Sequence, residues 1–131
     1  MYTSQRVPSI FTAAAVAFLI NLPATTWAAD ELDALTVEWE GKRLCENLHE
    51  DDKIRVLRCT IPPNATHVRH FHPAGFNYVL SGGKGRSTNA KGTNEWETET
   101  DANREGKPVE WHEVTNIGDT TQRYLLVEKK Y

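Results

Sequence analysis

Apolar and polar residues alternate along most of the chain in short runs, and turn-forming residues separate the runs. Alternation with period two is the pattern of half-buried β-strands, and no long segment repeats apolar residues with the period of a helix. The pattern predicts a hairpin over residues 44–61, a second hairpin over residues 86–100 and two closing strands over residues 111–131. The polar residues 101–108 are predicted to form a loop.

The first 29 residues differ in composition from the rest of the chain. Arg6 precedes the apolar run Ile10 to Ile20, and small residues follow, which is the three-part pattern of a secretory signal peptide. The apolar run is shorter than an ordinary membrane span, and the alternative is an uncleaved N-terminal anchor. We therefore expect cleavage after Ala28 or Ala29 and a periplasmic or secreted location.

The charge of the mature chain limits its partners. All 18 acidic residues and 14 of the 15 Lys and Arg residues follow residue 29, which leaves a formal charge of −4. This balance argues against nucleic acid or an anionic membrane surface as a partner. After cleavage of residues 1–29 we expect no stable membrane insertion. Residues 30–43 are acidic with little periodicity and predict an N-terminal arm, and residues 44–131 suffice for one domain.

Both cysteines fall in the first predicted hairpin. If the hairpin is centred on Asp52, Cys45 lies directly opposite Cys59, and opposed Cβ atoms in an antiparallel ladder approach to ~4.5–5.5 Å. An even number of cysteines in an exported protein also indicates a disulfide. We expect a Cys45–Cys59 bond, whereas a register slip of one residue would leave two separate thiols.

Histidines supply the candidate chemistry. His70 and His72 are two residues apart in an alternating segment, so both side chains should lie on one face of a strand. His112 comes from a distant strand, and two ligands from one strand with a third from another make a mononuclear metal site. His67 is three residues before His70, so we expect it on the opposite face, at the rim or surface. The alternative is that these histidines are ordinary strand residues.

Two motifs in this half of the chain resemble those of the cupin superfamily. The first has the form Gly-x5-His-x-His-x3,4-Glu-x6-Gly, and the core of the second is His-x3-Asn. The matching positions are Asn64, His70, His72 and Gly82 in the first motif and His112 and Asn116 in the second. The run from His72 to Gly83 is similar to that of small single-domain cupins, and the resemblance covers roughly residues 44–131. It implies an all-β fold, a single-domain jelly-roll β-barrel of two packed antiparallel sheets.

The chain departs from the cupin pattern at the usual glutamate ligand, because Gly75 occupies the slot seven positions before the closing Gly82. Asn77 shares the face of the slot by parity and is the candidate for a weak fourth ligand or a substrate hydrogen bond. Glu110 shares the face of His112 in a regular strand and is a second candidate, for an acid or base. A Glu introduced at position 75 should then tighten metal binding and weaken ligand binding.

The resemblance also implies a function. It suggests a divalent metal ion, Fe, Mn, Zn or Ni, held by His70, His72 and His112, with a small organic ligand at the barrel mouth. A site without a carboxylate favours an anionic chelating ligand, because the anion would restore neutrality around the metal. Two functions stay open, an Fe- or Mn-dependent oxygenase or isomerase and a non-catalytic binding or sensing protein. A homodimer is compatible with either function.

Overall fold

The computed structural model describes residues 32–130, so the predicted signal peptide over residues 1–29 lies outside the described residues. The described chain is all-β. Its strands are β1 (Glu38–Trp39), β2 (Lys42–Arg43), β3 (Cys45–Glu50), β4 (Ile54–Ile61), β5 (Thr66–His72), β6 (Gly75–Ser81), β7 (Gly83–Asn89), β8 (Gly92–Thr98), β9 (Asn103–Gly106), β10 (Val109–Asn116) and β11 (Gln122–Lys129). No helix long and apolar enough to cross a membrane occurs within residues 32–130.

Two antiparallel sheets make the body of the fold. One has the strand order β5-β10-β7-β8 and the other has the order β3-β4-β11-β6-β9, while β1 and β2 form a small separate ribbon. Apart from the hairpin pairs β3–β4 and β7–β8, neighbours in these orders are not consecutive in the chain, as expected for a jelly roll rather than for a simple meander. The prediction of two packed antiparallel sheets is confirmed.

Both predicted hairpins are present. Strands β3 and β4 pair antiparallel, as do β7 and β8, with turns where the polar residues 51–53 and 90–91 lie. Strands β10 and β11 account for the predicted closing strands. Asn64 has a φ of 66°, which Asn tolerates better than most residues, so the turn before β5 survives without the glycine of the motif.

The prediction of a loop over residues 101–108 is wrong in part, because residues 103–106 form β9 at the edge of the larger sheet. The sequence NREG has low strand propensity, and the strand exists because β6 offers it an unpaired backbone edge. The consequence for the site is that β9 brings Arg104 directly opposite Asn77 of β6.

The first hairpin carries a disulfide. Cys45 pairs with Cys59 in the ladder with a Cα–Cα distance of 4.0 Å, and the two sulfurs are bonded. The register then shifts between Asn47 and His49, so the turn is displaced from the symmetric position assumed in the sequence argument. Both cysteines are buried and pack with Ala34 and Leu57 in one of the two apolar clusters of the core.

The N-terminal arm is attached to the barrel. Ala34 and Val37 are buried, the amide of Phe71 in β5 donates to the carbonyl of Leu32, and Asp33 forms a parallel bridge with Phe71. The arm therefore lies against β5 and brings Asp33 close to the histidines.

The asparagine of the second motif has a structural role. Asn116 is fully buried, and its Nδ2 donates to the carbonyls of Ile61 and Thr120 at 2.8 Å each. Its Oδ1 accepts from the amide of Gly118 and from Gln122 Nε2, both at 3.0 Å. These four bonds satisfy a side chain that would otherwise be costly to bury, and they fix the turn between β10 and β11.

Candidate metal centre

Three histidines converge on one point between the sheets. His70 and His72 lie on β5 and His112 lies on the neighbouring strand β10. His70 Nε2 is 2.9 Å from His72 Nε2 and 2.9 Å from His112 Nε2, and the ligating atoms of all three lie within 4.8 Å of one another. Nitrogens that bind a metal at ~2.1 Å and at right angles lie ~3.0 Å apart, so this spacing fits one ion.

Hydrogen bonds on the far side of two rings fix their protonation. His70 Nδ1 is 2.6 Å from the carbonyl oxygen of Val68, and His72 Nδ1 is 2.6 Å from Glu128 Oε1. Both partners are acceptors, so in the neutral rings each Nδ1 carries the proton and each Nε2 has a bare lone pair. Two lone pairs at 2.9 Å repel unless a cation lies between them, which makes this pair of atoms suited to a metal ion.

Burial keeps two of these imidazoles neutral. Desolvation lowers the pKa of His70 to about 2, with further lowering from the neighbouring His67, His72 and His112. Burial likewise lowers the pKa of His112 to about 3, and the charges of nearby side chains, Arg104 among them, act in the same direction. Because metal ligation needs unprotonated imidazole, both rings are ready to bind at neutral pH.

A buried carboxylate orients His72. Glu128 on β11 is 3% exposed, and its Oε2 accepts from Arg55 Nε at 2.8 Å and from Arg55 Nη2 at 2.5 Å. Arg55 Nη1 in turn lies 2.9 Å from Asp33 Oδ2 in the N-terminal arm. A carboxylate bonded to a ligating histidine fixes the tautomer and raises the basicity of the ring.

Comparison with solved structures decides the architecture. A cupin domain from Bordetella pertussis Tohama I matches with a TM-score of 0.62 and 16% identity, over 66% of this chain and 92% of that chain. An RmlC-like cupin family protein with a double-stranded β-helix fold from Methanocaldococcus jannaschii matches with a TM-score of 0.54 and 12% identity, over 71% and 89%. This chain has a cupin fold.

A further match is a polyketide cyclase from Streptomyces resistomycificus, with a TM-score of 0.54 and 18% identity over 77% of this chain and 79% of that chain. No protein-family model matches the sequence, and the search of curated proteins found no match. Identities at this level show the shared fold alone, so the chemistry has to be argued from the residues of this cupin.

Counted back from Gly82, the cupin glutamate falls at position 75, which has no room for a side chain in this structure. Counted on from His72 by the motif's spacing of three or four residues, it falls instead at Phe76 or Asn77. A Cβ on Gly75 would collide with the carbonyl oxygen of Val127 and approach the Cα of Glu128 to 3.1 Å. Gly75 is also the direct partner of Glu128 in the ladder between β6 and β11. The expectation that a glutamate at position 75 would reach the metal is therefore wrong, because the close approach of β11 fills that space.

Sequence analysis missed Glu128, although one signal was present. Gln122, Tyr124, Leu126 and Glu128 alternate along β11, and the first, second and last of them are buried. Parity therefore places Glu128 on the inner face with Tyr124. The two lysines that follow it made the end of the strand resemble a solvated terminus.

The face assignment of His67 is also wrong. His67 is 4% exposed, stacks on His70 with ring centroids 3.7 Å apart, and donates through Nε2 to the carbonyl of Ala34 at 3.0 Å. The reason is a bulge, because three steps along β5 from His70 to His67 correspond to two along β10, from His112 to Val114. The extra residue rotates His67 onto the inner face.

A second bulge affects Glu110. Between His72 and His70 the register advances by two residues on β5 but by three on β10, from Val109 to His112. Glu110 is exposed and is not among the residues that line the cavity, so the structure does not bring it to His112 as the candidate acid or base. Asn77, by contrast, lines the cavity, and its Oδ1 is a buried acceptor with no hydrogen-bond partner in the described part of the chain.

The histidines open into a cavity of about 430 Å³ between the sheets. Apolar side chains from both sheets line it, including Val79, Trp96, Tyr124 and Leu126. Its polar wall includes Asn77 and Arg104, which face each other across the β6–β9 ladder. A cavity of this size and mixed lining suits a small organic molecule with an apolar part and a polar end.

Proposed function

We propose that this protein is an exported cupin that holds one divalent metal ion on His70, His72 and His112 and binds a small anionic organic molecule there. The observation that carries the proposal is the 2.9 Å approach of His70 Nε2 to His72 Nε2, with both Nδ1 protons committed to acceptors. Three neutral imidazoles suit Fe, Mn, Zn or Ni.

Different residues bind the metal and orient its histidine ligands. The three imidazoles provide the ligands, and Glu128 holds the ring of His72 in the ligating tautomer. The apolar walls of the cavity exclude water around the ligand, and the polar wall that holds Asn77 contacts the polar end of the ligand. A metal at this position would supply Lewis-acid polarisation of a chelating ligand and, for Fe or Mn, redox chemistry.

Two functions fit this site. An Fe- or Mn-dependent oxygenase or isomerase is favoured by a ligand set without a carboxylate, which leaves several metal positions to the ligand. A non-catalytic binding or sensing protein is favoured by the position of Glu110 outside the cavity lining, which leaves that acid–base candidate away from the ligand. Oxygen uptake together with product analysis on candidate organic acids separates the two, because an isomerase forms product without consuming oxygen and a binding protein does neither.

Metal content is the first test. Protein purified from its own compartment should contain close to one metal ion per chain, and single replacement of His70, His72 or His112 with Ala should abolish stoichiometric binding. His49→Ala is the matched control, because His49 is exposed on β3 and is not one of the three histidines. His67→Ala should keep stoichiometric binding, since His67 lies outside the three-imidazole group. Metal retention in the His70→Ala variant would contradict the proposal.

Export rests on the sequence pattern of residues 1–29 and on the Cys45–Cys59 bond, which is typical of oxidising compartments. The mature protein, periplasmic or secreted, should begin at Ala29 or Asp30 by mass spectrometry. An intact Met1 in the exported fraction would refute the cleavage.

A further inference from the structure

The cavity has one charged donor that the metal centre does not use. Arg104 lies on β9, lines the cavity, and forms no ion pair within residues 32–130. It is the only arginine or lysine among the described residues that line the cavity. Arg104 is exposed at its outer end, but it pairs directly with Asn77 in the β6–β9 ladder, and directly paired residues present their side chains on the same face, here the face that lines the cavity.

The residue opposite Arg104 carries a buried hydrogen-bond acceptor that a ligand can use. Asn77 pairs with Arg104 in the β6–β9 ladder, and Asn77 Oδ1 is buried without a donor from any of residues 32–130. A buried acceptor without a partner is destabilising, so such an atom indicates a donor that water or a ligand supplies. The same side of the cavity therefore carries the N–H donors of the Arg104 guanidinium and the acceptor Asn77 Oδ1.

We propose that Arg104 and Asn77 form a subsite that selects hydroxycarboxylates as the organic ligand of this cupin. The guanidinium of Arg104 pairs with the carboxylate, and Asn77 Oδ1 accepts a hydrogen bond from the hydroxyl. The apolar part of the ligand packs against the cavity wall that includes Val79 and Leu126. This inference rests on the proposed function and adds the class of the ligand and the residues that recognise it.

The chemistry of the two residues supports this class over others. Arginine binds a carboxylate through a planar fork of donors, which a neutral alcohol cannot match. The acceptor Asn77 Oδ1 favours a ligand that has a hydroxyl donor next to its carboxylate, because the two can form a hydrogen bond. Glu97 also borders the cavity and would repel a second carboxylate there, which favours a ligand with a single acid group.

Three related probes test the subsite on protein loaded with Co(II), with metal content measured first. Mandelate has the carboxylate and the hydroxyl, phenylacetate lacks the hydroxyl, and 1-phenyl-1,2-ethanediol lacks the carboxylate. Titrations followed by the visible absorption of Co(II) should rank mandelate first. Arg104→Gln should weaken mandelate binding roughly tenfold or more and leave the diol unchanged. Asn77→Leu should remove the advantage of mandelate over phenylacetate.

Two control variants separate recognition from general charge. Lys107→Gln removes a nearby exposed cation that does not line the cavity, and it should leave mandelate affinity unchanged. Glu97→Gln should leave mandelate affinity unchanged or raise it, whereas a loss equal to that of Arg104→Gln would mean that the charge of Arg104 does not recognise the carboxylate, and it would overturn the inference. Equal affinity of Arg104→Gln and the parent for mandelate would also overturn it. Failure of the parent to bind Co(II) would instead refute the metal site itself.

Discussion

His72 donates through Nδ1 to Glu128 Oε1 over 2.6 Å, and Glu128 is directly opposite Gly75 in the β6–β11 ladder. The carboxylate absent from the cupin ligand position is thus present one strand away, where it contacts a ligating ring. Its negative charge is already matched by Arg55, which Asp33 of the N-terminal arm contacts in turn. The arm, the larger sheet and the candidate metal centre are connected through these four side chains.

Replacement of Glu128 should weaken the metal centre. Glu128→Gln keeps the shape of the side chain but removes the charge that favours the His72 tautomer, so metal affinity should fall roughly 10- to 100-fold. Competition with a chromophoric chelator measures the affinity, and thermal unfolding verifies that the variant folds. Glu105→Gln is the matched control, because Glu105 is exposed on β9 and does not line the cavity. Metal affinity equal to that of the parent would contradict an orienting role for Glu128.

The disulfide should stabilise the mature fold. Cys45 and Cys59 are separated by 14 residues, and closing a loop of this length stabilises a protein by roughly 3 kcal/mol in the chain-entropy description. Cys45→Ala/Cys59→Ala should lower the free energy of unfolding by up to about this amount, as measured by urea denaturation. Reduction should lower the unfolding midpoint of the parent and leave that of the double variant unchanged. Two alkylatable thiols in the native protein would show that the bond is absent.

The metal-free protein should lose stability in acid. Burial lowers the pKa of His67 from about 6.5 to about 4, so below pH 6.5 the unfolded chain binds a proton that the folded chain excludes. Stability contributed by neutral His67 is therefore present above pH 6.5 and is lost as the pH falls towards 4. The loss for this group is roughly 3 kcal/mol.

His67→Phe tests this assignment, because phenylalanine keeps an aromatic ring next to His70 without a titrating group. Urea unfolding of chelator-treated protein between pH 7 and pH 4 should show a smaller decrease for the variant than for the parent. The same decrease in both proteins would mean that the other buried histidines account for the acid sensitivity.

Regular alternation predicted the parts of this fold that are regular. Parity placed His70 beside His72, because the extra residue of the bulge between them lies on β10 and not on β5. Counting from the turn placed Cys45 opposite Cys59, because the register shift between Asn47 and His49 only displaced the turn. Parity assigned His67 and Glu110 to the wrong faces, because the β5–β10 ladder contains bulges next to both residues. Bulges depend on pairing between distant segments, and the sequence of one strand does not reveal them.

Long-range pairing also explains the features that the sequence did not predict. The strand β9 has a turn-like composition and forms only because β6 has a free edge, so Arg104 could not be assigned to the cavity in advance. The steric limit at Gly75 likewise arises from β11, which is about fifty residues further along the chain. The fold was predictable from the motifs and from the alternation of apolar and polar residues. The residues that surround the three histidines, such as Glu128 and Arg104, could be identified only from the tertiary structure.

The same steric limit yields the sharpest stability prediction. Gly75→Ala should destabilise the protein by several kcal/mol and weaken metal binding, because its Cβ would push the backbone at Val127 and move Glu128 away from His72. Gly106→Ala is the control on the facing strand. Gly106 pairs with Gly75, yet a Cβ there would find no atom closer than 3.7 Å, so this variant should keep both stability and metal affinity. Chemical denaturation and metal competition on the two variants measure both quantities. If Gly75→Ala were as stable as Gly106→Ala, β11 would not approach β6 as closely as described, and the slot at position 75 would again be open to a ligating side chain.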